Sequence, residues 1–262
     1  MQPLHAGIHL DAFFDGLARA SQRVLLLDYD GTLAPFHRRP ERATPYPHVA
    51  RLLEQAMGCG TRVVIVSGRR LADLRGPLAW VPHHEAWASH GWERFGAGGL
   101  RSAYVPPGPA QRQLQVAEAG ARELAIHGAR IERKVASVAV HWRGMASGVV
   151  ERIRGRLDGA WSGVSHEALE RLEFDGGVEL RVRGRTKGDA VREVLDACDT
   201  RAACAYLGDD HTDEDAFAAM RGRGLAVLVR PELRETRADA WIRPPEELLR
   251  FLERWCACAE TA

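Results

Sequence analysis

The residues best able to do chemistry are acids that stand in pairs. Asp28 and Asp30 lie in Asp28-Tyr29-Asp30-Gly31-Thr32, directly after the apolar run Val24-Leu25-Leu26-Leu27. Asp209 and Asp210 follow a second apolar run, Cys204–Leu207, and Gly208. Either segment alone also reads as a polar turn. Two carboxylates just off a buried strand, however, repel each other unless a cation or a proton lies between them. In the first segment Gly31 permits a sharp turn and Thr32 offers a hydroxyl. In the second, Thr212 is expected to cap a helix and Asp215 to complete a capping box, which leaves Asp209 and Asp210 unexplained because they come before it. Two acid pairs from separate strands would make a hard-oxygen site suited to Mg²⁺, which favours carboxylates, waters and phosphate oxygens.

Two further positions suit an anion. Ser67 ends the run Arg62–Val66, and Gly68 beside it can present its backbone N–H. Lys187-Gly188 opens a helical stretch, where an ammonium group and the helix terminus both favour negative charge. Taken singly, a lysine at a helix start reads as a solvated surface residue; the order of the four segments along the chain is what links them.

These residues need a scaffold that brings strand ends together. Val24–Leu27 and Arg62–Val66 are short apolar runs without alternation, as expected of strands covered on both faces of a parallel sheet. Helical stretches at Leu10–Ala20, His48–Met57 and Leu71–Leu78 alternate with these runs and with Ala86–Ala88, so βαβ units and a doubly wound sheet are predicted. Ligands of such sheets sit beyond the C-terminal strand ends, where every polar cluster above falls. From about Pro106 the texture changes. Helical stretches at Gln111–Ala125 and Val149–Leu157 accompany the alternating, half-buried strands Val135–Trp142 and Glu179–Val182. The α/β pattern returns after Gly184 with Ala190–Ala197, Cys204–Leu207, Asp213–Arg221, Leu225–Val229 and a helix from Glu246. The fold class is therefore α/β, a doubly wound parallel-sheet core over residues 1–105 and 184–262. A smaller α+β module over 106–183 is inserted in it.

Bulk properties narrow the function. With 36 basic and 35 acidic residues the net charge is +1, which gives no electrostatic reason to expect nucleic acid or an anionic membrane surface. No apolar run approaches the roughly 18–20 residues that span a bilayer. The first residues lack the basic-then-apolar order of a secretory signal, and the five cysteines, Cys59, Cys198, Cys204, Cys256 and Cys258, show no paired metal spacing. Reduced thiols in the cytoplasm are expected, and no obligate protein partner is evident.

The order Asp-x-Asp-Gly-Thr, Ser-Gly, Lys, Gly-Asp-Asp, each at a strand end or helix start, resembles the haloacid dehalogenase superfamily. The resemblance implies that Asp28 attacks phosphorus and that Asp30 protonates the leaving alcohol and then activates water. It implies further that Mg²⁺ is held by Asp28, the Asp30 backbone carbonyl and Asp209, with Asp210 and Asp213 orienting that shell. Ser67 and Lys187 would bind the transferring phosphoryl oxygens. Leu27–Leu33, Ser67-Gly68-Arg69, Ser89-His90-Gly91 and Gly208–Phe217 are similar to the trehalose-6-phosphate phosphatase family within it. So are Glu132-Arg133-Lys134, Ser137–Arg143, and Glu179 with Arg181 ahead of Lys187. By that resemblance the inserted module is a substrate-selecting cap and the substrate a small-molecule sugar phosphate. Glu132, Lys134, Glu179 and Arg143 would bind the sugar's hydroxyls or phosphate, with Arg69, His90 and Gly91 also at the substrate. Glu132 and Lys134 read equally well as solvated strand charges, and Arg181 as the partner of a neighbouring acid. The chain departs from the family's pattern at Val182, where proline is common, and at Thr186, where asparagine or serine is common. Trehalose 6-phosphate is the expected substrate. The alternatives are sucrose, mannosylglycerate or glucosylglycerol phosphate, a phosphomutase, and an idle sugar-binding module.

Overall fold

The computed structural model describes residues 1–37, 39–79, 85–174 and 176–260. It divides into two compact units, one formed by Met1–Ser102 with Thr186–Ala262 and the other by Ala103–Arg185.

The strands in chain order are β1 (Gln2–Pro3), β2 (Arg23–Leu27), β3 (Thr61–Val66), β4 (Glu85–Ala88), β5 (Glu93–Phe95) and β6 (Arg101–Ala103). They continue as β7 (Arg130–Arg133), β8 (Ser137–His141), β9 (Leu169–Phe174), β10 (Gly177–Val182), β11 (Ala203–Gly208), β12 (Leu225–Val229) and β13 (Ala240–Ile242). The first unit is built on a sheet ordered β1-β13-β12-β11-β2-β3-β4-β5-β6, parallel from β13 through β4. The apolar run of β2 explains its central place, because alternate residues feed two different cores. Leu25 and Leu27 join a cluster with Phe14, Leu53, Phe251 and Trp255 from the helices Leu10–Arg19, Val49–Gly58 and Glu246–Glu260. Val24 and Leu26 join Val191, Leu195, Phe217 and Met220 on the opposite face, from the helices Lys187–Asp196 and Glu214–Met220. A strand with no polar face can be buried only this way.

The chain runs outward from β2 through β3 to β4, and later from β11 through β12 to β13 in the opposite direction. The order therefore reverses between β2 and β11, which are hydrogen-bonded neighbours. At such a switch point the loops part and leave a crevice beyond the strand ends. Asp28 follows β2 and Asp209 follows β11, so both acid pairs arise at that crevice.

The second unit holds an antiparallel sheet ordered β7-β8-β10-β9, with the helices Gly108–Arg122 and Ser147–Ala160. The first of these helices packs against β8 and β10. Half-buried strands were expected here, but β10 is buried along its whole length and β8 except at His141. The polar face is covered because its charges pair: Lys134 with Glu179 at 2.9 Å and Arg181 with Glu170 at 2.5 Å. Two local expectations also need correction. The helix expected over Leu71–Leu78 ends at Leu74. The capping box is formed by Asp210 and Asp213, two residues earlier than Thr212 and Asp215, because the chain enters a short 3₁₀ turn at His211–Asp213 before the α-helix begins. Among the described residues, no helix is long and apolar enough to cross a membrane.

Candidate active site

Asp28 continues β2 by one residue, its N–H donating to Leu207 O of β11 at 2.9 Å. The side chain is therefore aimed from the rigid sheet rather than from a loop, and it is 2% exposed. Thr32 Oγ1 donates to Asp28 Oδ2 at 3.3 Å. Gly31 turns the chain back with φ +88°, a conformation that a side chain disfavours. A Cβ at this position would collide with the Asp209 carboxylate. Gly31→Ala is expected to destabilise the protein by about 1–3 kcal/mol and to weaken metal binding through displacement of Asp209. Thermal melts and metal titration of the variant check this.

Lys187 reaches the same corner from the first turn of its helix. Thr186 caps that helix, accepting from Gly188 N–H at 3.1 Å, while Asp189 accepts from Thr186 N–H at 2.7 Å. Threonine at this family-variable position thus keeps the cap. The Lys187 ammonium, 3% exposed, donates to Asp28 Oδ1 and Asp213 Oδ1, both at 2.7 Å. Asp213 is saturated: Oδ1 also accepts from Tyr206 OH at 2.5 Å, and Oδ2 from the N–H groups of Asp209 (3.1 Å) and Asp210 (3.0 Å). It therefore orients the acidic loop and has no acceptor left for a ligand. Asp210 is committed as well, accepting from His211 N–H at 2.7 Å. Asp209 differs, since its buried Oδ1 has no hydrogen-bond partner among the described residues.

The carboxylates of Asp28, Asp209 and Asp213 lie within 4.8 Å of one another around a single ammonium group. Burial pushes the Asp28 carboxyl up to about 7, partly offset by Lys187. Burial, and then Asp28 and Asp213, push Asp209 well above the carboxylate range. Lys187 is held charged because Asp213 and Asp28 outweigh its own burial. The corner thus carries excess negative charge and an unsatisfied buried oxygen. Both features fit a hard divalent cation taking the Asp28 and Asp209 oxygens.

Ser67 ends β3 and is 1% exposed. Its Oγ accepts from Arg69 N–H at 3.2 Å. Arg69, expected at the substrate, grips Asp30: Nε and one terminal nitrogen each donate to a different carboxylate oxygen at 2.6 Å. His90 and Gly91 back this loop. Ser89, His90 and Gly91 are three consecutive left-handed residues, φ +50°, +56° and +97°. That conformation brings Ser89 N–H onto Arg69 O (2.6 Å) and His90 N–H onto Ser67 O (3.0 Å). The His90 ring packs against Gly68, close enough that a Cβ there would lie 2.6 Å from it. Gly91 also answers the demand of a left-handed run.

In the second unit, Glu132 and Lys134 project from β7 and the residues just beyond it. Ser137 Oγ donates to Glu179 at 2.5 Å, and Lys134 pairs with the same carboxylate. His141 Nε2 meets Glu132 at 2.8 Å. Burial holds His141 below its usual range, against the hydrogen bond with Glu132, which works the other way. Burial of Glu132 is outweighed by His141 and Lys134, which bring it down to about 2. Arg143 lies apart from these, packed against Gly176 in a cleft of about 400 Å³ lined also by Trp142, Ser147, Glu151 and Arg154.

The sequence model of the trehalose-phosphatase family matches residues 26–237, from β2 to the loop beyond β12. The chain belongs to the trehalose-phosphatase family. It is 32% identical over 252 residues to a trehalose-phosphate phosphatase of Mycobacterium marinum, covering 91% of this chain and 62% of that protein. It is 27% identical over 260 residues to trehalose-phosphate phosphatase B of Arabidopsis thaliana, covering 90% of this chain and 67% of that one. The chain thus spans about three-fifths of the length of the trehalose-phosphate phosphatases of Mycobacterium marinum and Mycobacterium ulcerans. The C-terminal domain of a Candida albicans trehalose-6-phosphate phosphatase has the same fold, with a TM-score of 0.79 at 21% identity, covering 100% of this chain and 99% of that one.

Within this trehalose-phosphatase family member, sequence reasoning missed Tyr206 and Arg234. Tyr206 sits mid-strand and reads as core, yet its hydroxyl fixes Asp213. Arg234 is one of many arginines, yet it donates to Asp209 O (3.4 Å), Asp210 O (2.8 Å) and the Glu214 carboxylate. It ties the loop after β12 to the acidic loop after β11. Nothing in local sequence marks either contact.

Proposed function

We propose that this protein is a divalent-metal-dependent phosphatase that hydrolyses a sugar phosphate, trehalose 6-phosphate first among them, through a covalent intermediate on Asp28. The observation that carries this reading is the buried corner where Lys187 joins Asp28 and Asp213 beside the unsatisfied oxygen of Asp209. An Asp28 oxygen attacks phosphorus while Asp30 gives a proton to the leaving sugar oxygen, yielding the aspartyl phosphate and the free sugar. Asp30 then takes a proton from the attacking water, and phosphate leaves with Asp28 restored. Ser67 and Lys187 donate to the phosphoryl oxygens, where charge must be stabilised in both steps. Asp28, Asp209 and the Asp30 carbonyl would hold the cation, Mg²⁺ by ligand chemistry, which supplies positive charge against the incoming dianion. Asp210 and Asp213 orient that shell. The sugar's hydroxyls are assigned to Glu132, Lys134 and Glu179, and Arg143, from its own cleft in the second unit, to the hydroxyls or the phosphate. That unit, residues 103–185, acts as the substrate-selecting cap. The reduced cytoplasm is the proposed place of action, where thiols without paired metal spacing are expected.

Three measurements test this reading. Mg²⁺ at 100 times its dissociation constant is expected to stabilise the fold by about 2.7 kcal/mol, and a chelator to reverse the gain. Absence of any shift in melting temperature would remove the metal from the reading. Phosphate release from a panel of trehalose, sucrose, mannosylglycerate and glucosylglycerol phosphates is expected to be dominated by trehalose 6-phosphate. Dominance of another sugar would leave the chemistry standing and replace the substrate. Glu132→Gln is expected to raise KM for the preferred sugar phosphate by roughly 10-fold or more while leaving p-nitrophenyl phosphate, which has no sugar, unaffected.

A further inference from the structure

Arg69 has its backbone pinned from both sides: its N–H is held by Ser67 Oγ, and its carbonyl accepts from Ser89 N–H. The Ser89–Gly91 turn is fixed in turn, since Ser89 Oγ donates to Glu93 at 2.5 Å and Glu93 also accepts from Leu71 N–H at 3.3 Å. The guanidinium lies over the Tyr29 ring, 5.1 Å from its centroid, and is 8% exposed. Asp30, by contrast, follows Tyr29 on the turning segment and its side chain is 27% exposed. A fixed, buried fork therefore holds a more exposed carboxylate by both oxygens. A bidentate guanidinium pair sets the plane and direction of its partner, which a single hydrogen bond does not.

Resting on the phosphatase reading above, we propose that Arg69 is a positioning residue for proton transfer to the leaving sugar, acting through Asp30 and not on the phosphoryl group. Proton transfer requires the carboxyl to stand within hydrogen-bond reach of the leaving oxygen, and misplacement by a fraction of an ångström weakens it. Both Asp30 oxygens accept from the guanidinium, so one arm of the pair opens as the carboxyl takes up from solvent the proton it will give to the leaving oxygen, while the other arm keeps the aim.

The test separates the two halves of the reaction by leaving group. The ratio kcat/KM reports steps up to departure of the first product. A sugar alkoxide needs a proton to leave, whereas p-nitrophenolate does not. In Arg69→Gln, kcat/KM for the preferred sugar phosphate is expected to fall roughly 10- to 100-fold, a partial loss of the roughly 100- to 10,000-fold that a general acid contributes, and that for p-nitrophenyl phosphate less than about 3-fold. Combined with Asp30→Asn, Arg69→Gln should add nothing to the loss with the sugar phosphate, because the two changes remove one function. Arg69→Lys, which keeps the charge without the fork, should fall between wild type and Arg69→Gln and guards against misfolding of the latter. Equal losses with both substrates, or additive losses in the double variant, would overturn the proposal. If the wild type turns over p-nitrophenyl phosphate but no sugar phosphate, the substrate reading fails instead. The same comparison then runs with glycerol phosphate, another alkyl ester.

Discussion

Lys187→Met is expected to cost about 3–5 kcal/mol of stability, the range for removing one partner of a buried ion pair, and to abolish turnover. The single ammonium answers Asp28 and Asp213, and Asp209 stands within the same 4.8 Å cluster. Methionine fills a similar volume, so packing is conserved and the loss is electrostatic. The deficit should shrink in two ways. Added Mg²⁺ replaces part of the missing charge. Lower pH allows the carboxyls, already pushed upward by burial, to take up protons in the folded state. Urea unfolding at pH 8 and pH 5.5, with and without Mg²⁺, measures all three effects. A deficit independent of both pH and metal would place the cost in packing and contradict the cluster's electrostatics.

Asp28→Asn should separate function from stability. Loss of the attacking carboxylate is expected to reduce kcat by at least about 10⁴-fold, as removal of covalent nucleophiles does. Stability should not fall, since asparagine keeps an acceptor for Lys187 and removes a buried charge. A gain of about 1 kcal/mol would appear as roughly 2–4 °C in melting temperature. The pH dependence has a definite sign. Burial pushes the Asp28 carboxyl up to about 7 in the folded state from its ordinary 3.8, so between these values the folded state holds more protons. Unfolding free energy contributed by Asp28 therefore falls as pH rises from about 4 to about 7 and is level above that. Metal-free wild type should show this decline, and Asp28→Asn should show less of it. Retained turnover in the variant would remove Asp28 from the nucleophile's place.

The sheet and the acid pairs were legible because their signals are local. A run such as Val24–Leu27 has no polar face to expose, and carboxylates at a strand end leave few explanations other than charge chemistry. What could not be read were the partners of side chains distant in sequence. Arg69 and Asp30 are 39 positions apart and Arg234 and Glu214 are 20 apart, with nothing nearby to announce either pair. Tyr206 fills a strand slot that any large apolar residue could occupy; only the buried oxygen of Asp213 gives its hydroxyl a purpose. The displaced capping box shows the limit of spacing rules, since Asp210/Asp213 and Thr212/Asp215 fit the same pattern and only the 3₁₀ entry turn decides between them. The buried faces of β8 and β10 misled for a related reason: periodicity reports polarity, and paired charges can be buried without ceasing to be polar.

The reversal of strand order between β2 and β11 also has a consequence for synthesis. Lys187 and Asp28 are 159 residues apart in the chain yet share one ion pair. At about 5–20 residues per second, β2 emerges from the ribosome roughly 10–30 s before the helix and strand that complete its acidic corner. During that interval the second unit, Ala103–Arg185, is synthesised whole. The nascent chain meanwhile carries an apolar strand with one free edge and Asp28 at its tip. A carboxylate in that position, solvated until its counter-charge arrives, helps keep the waiting edge from pairing with another chain.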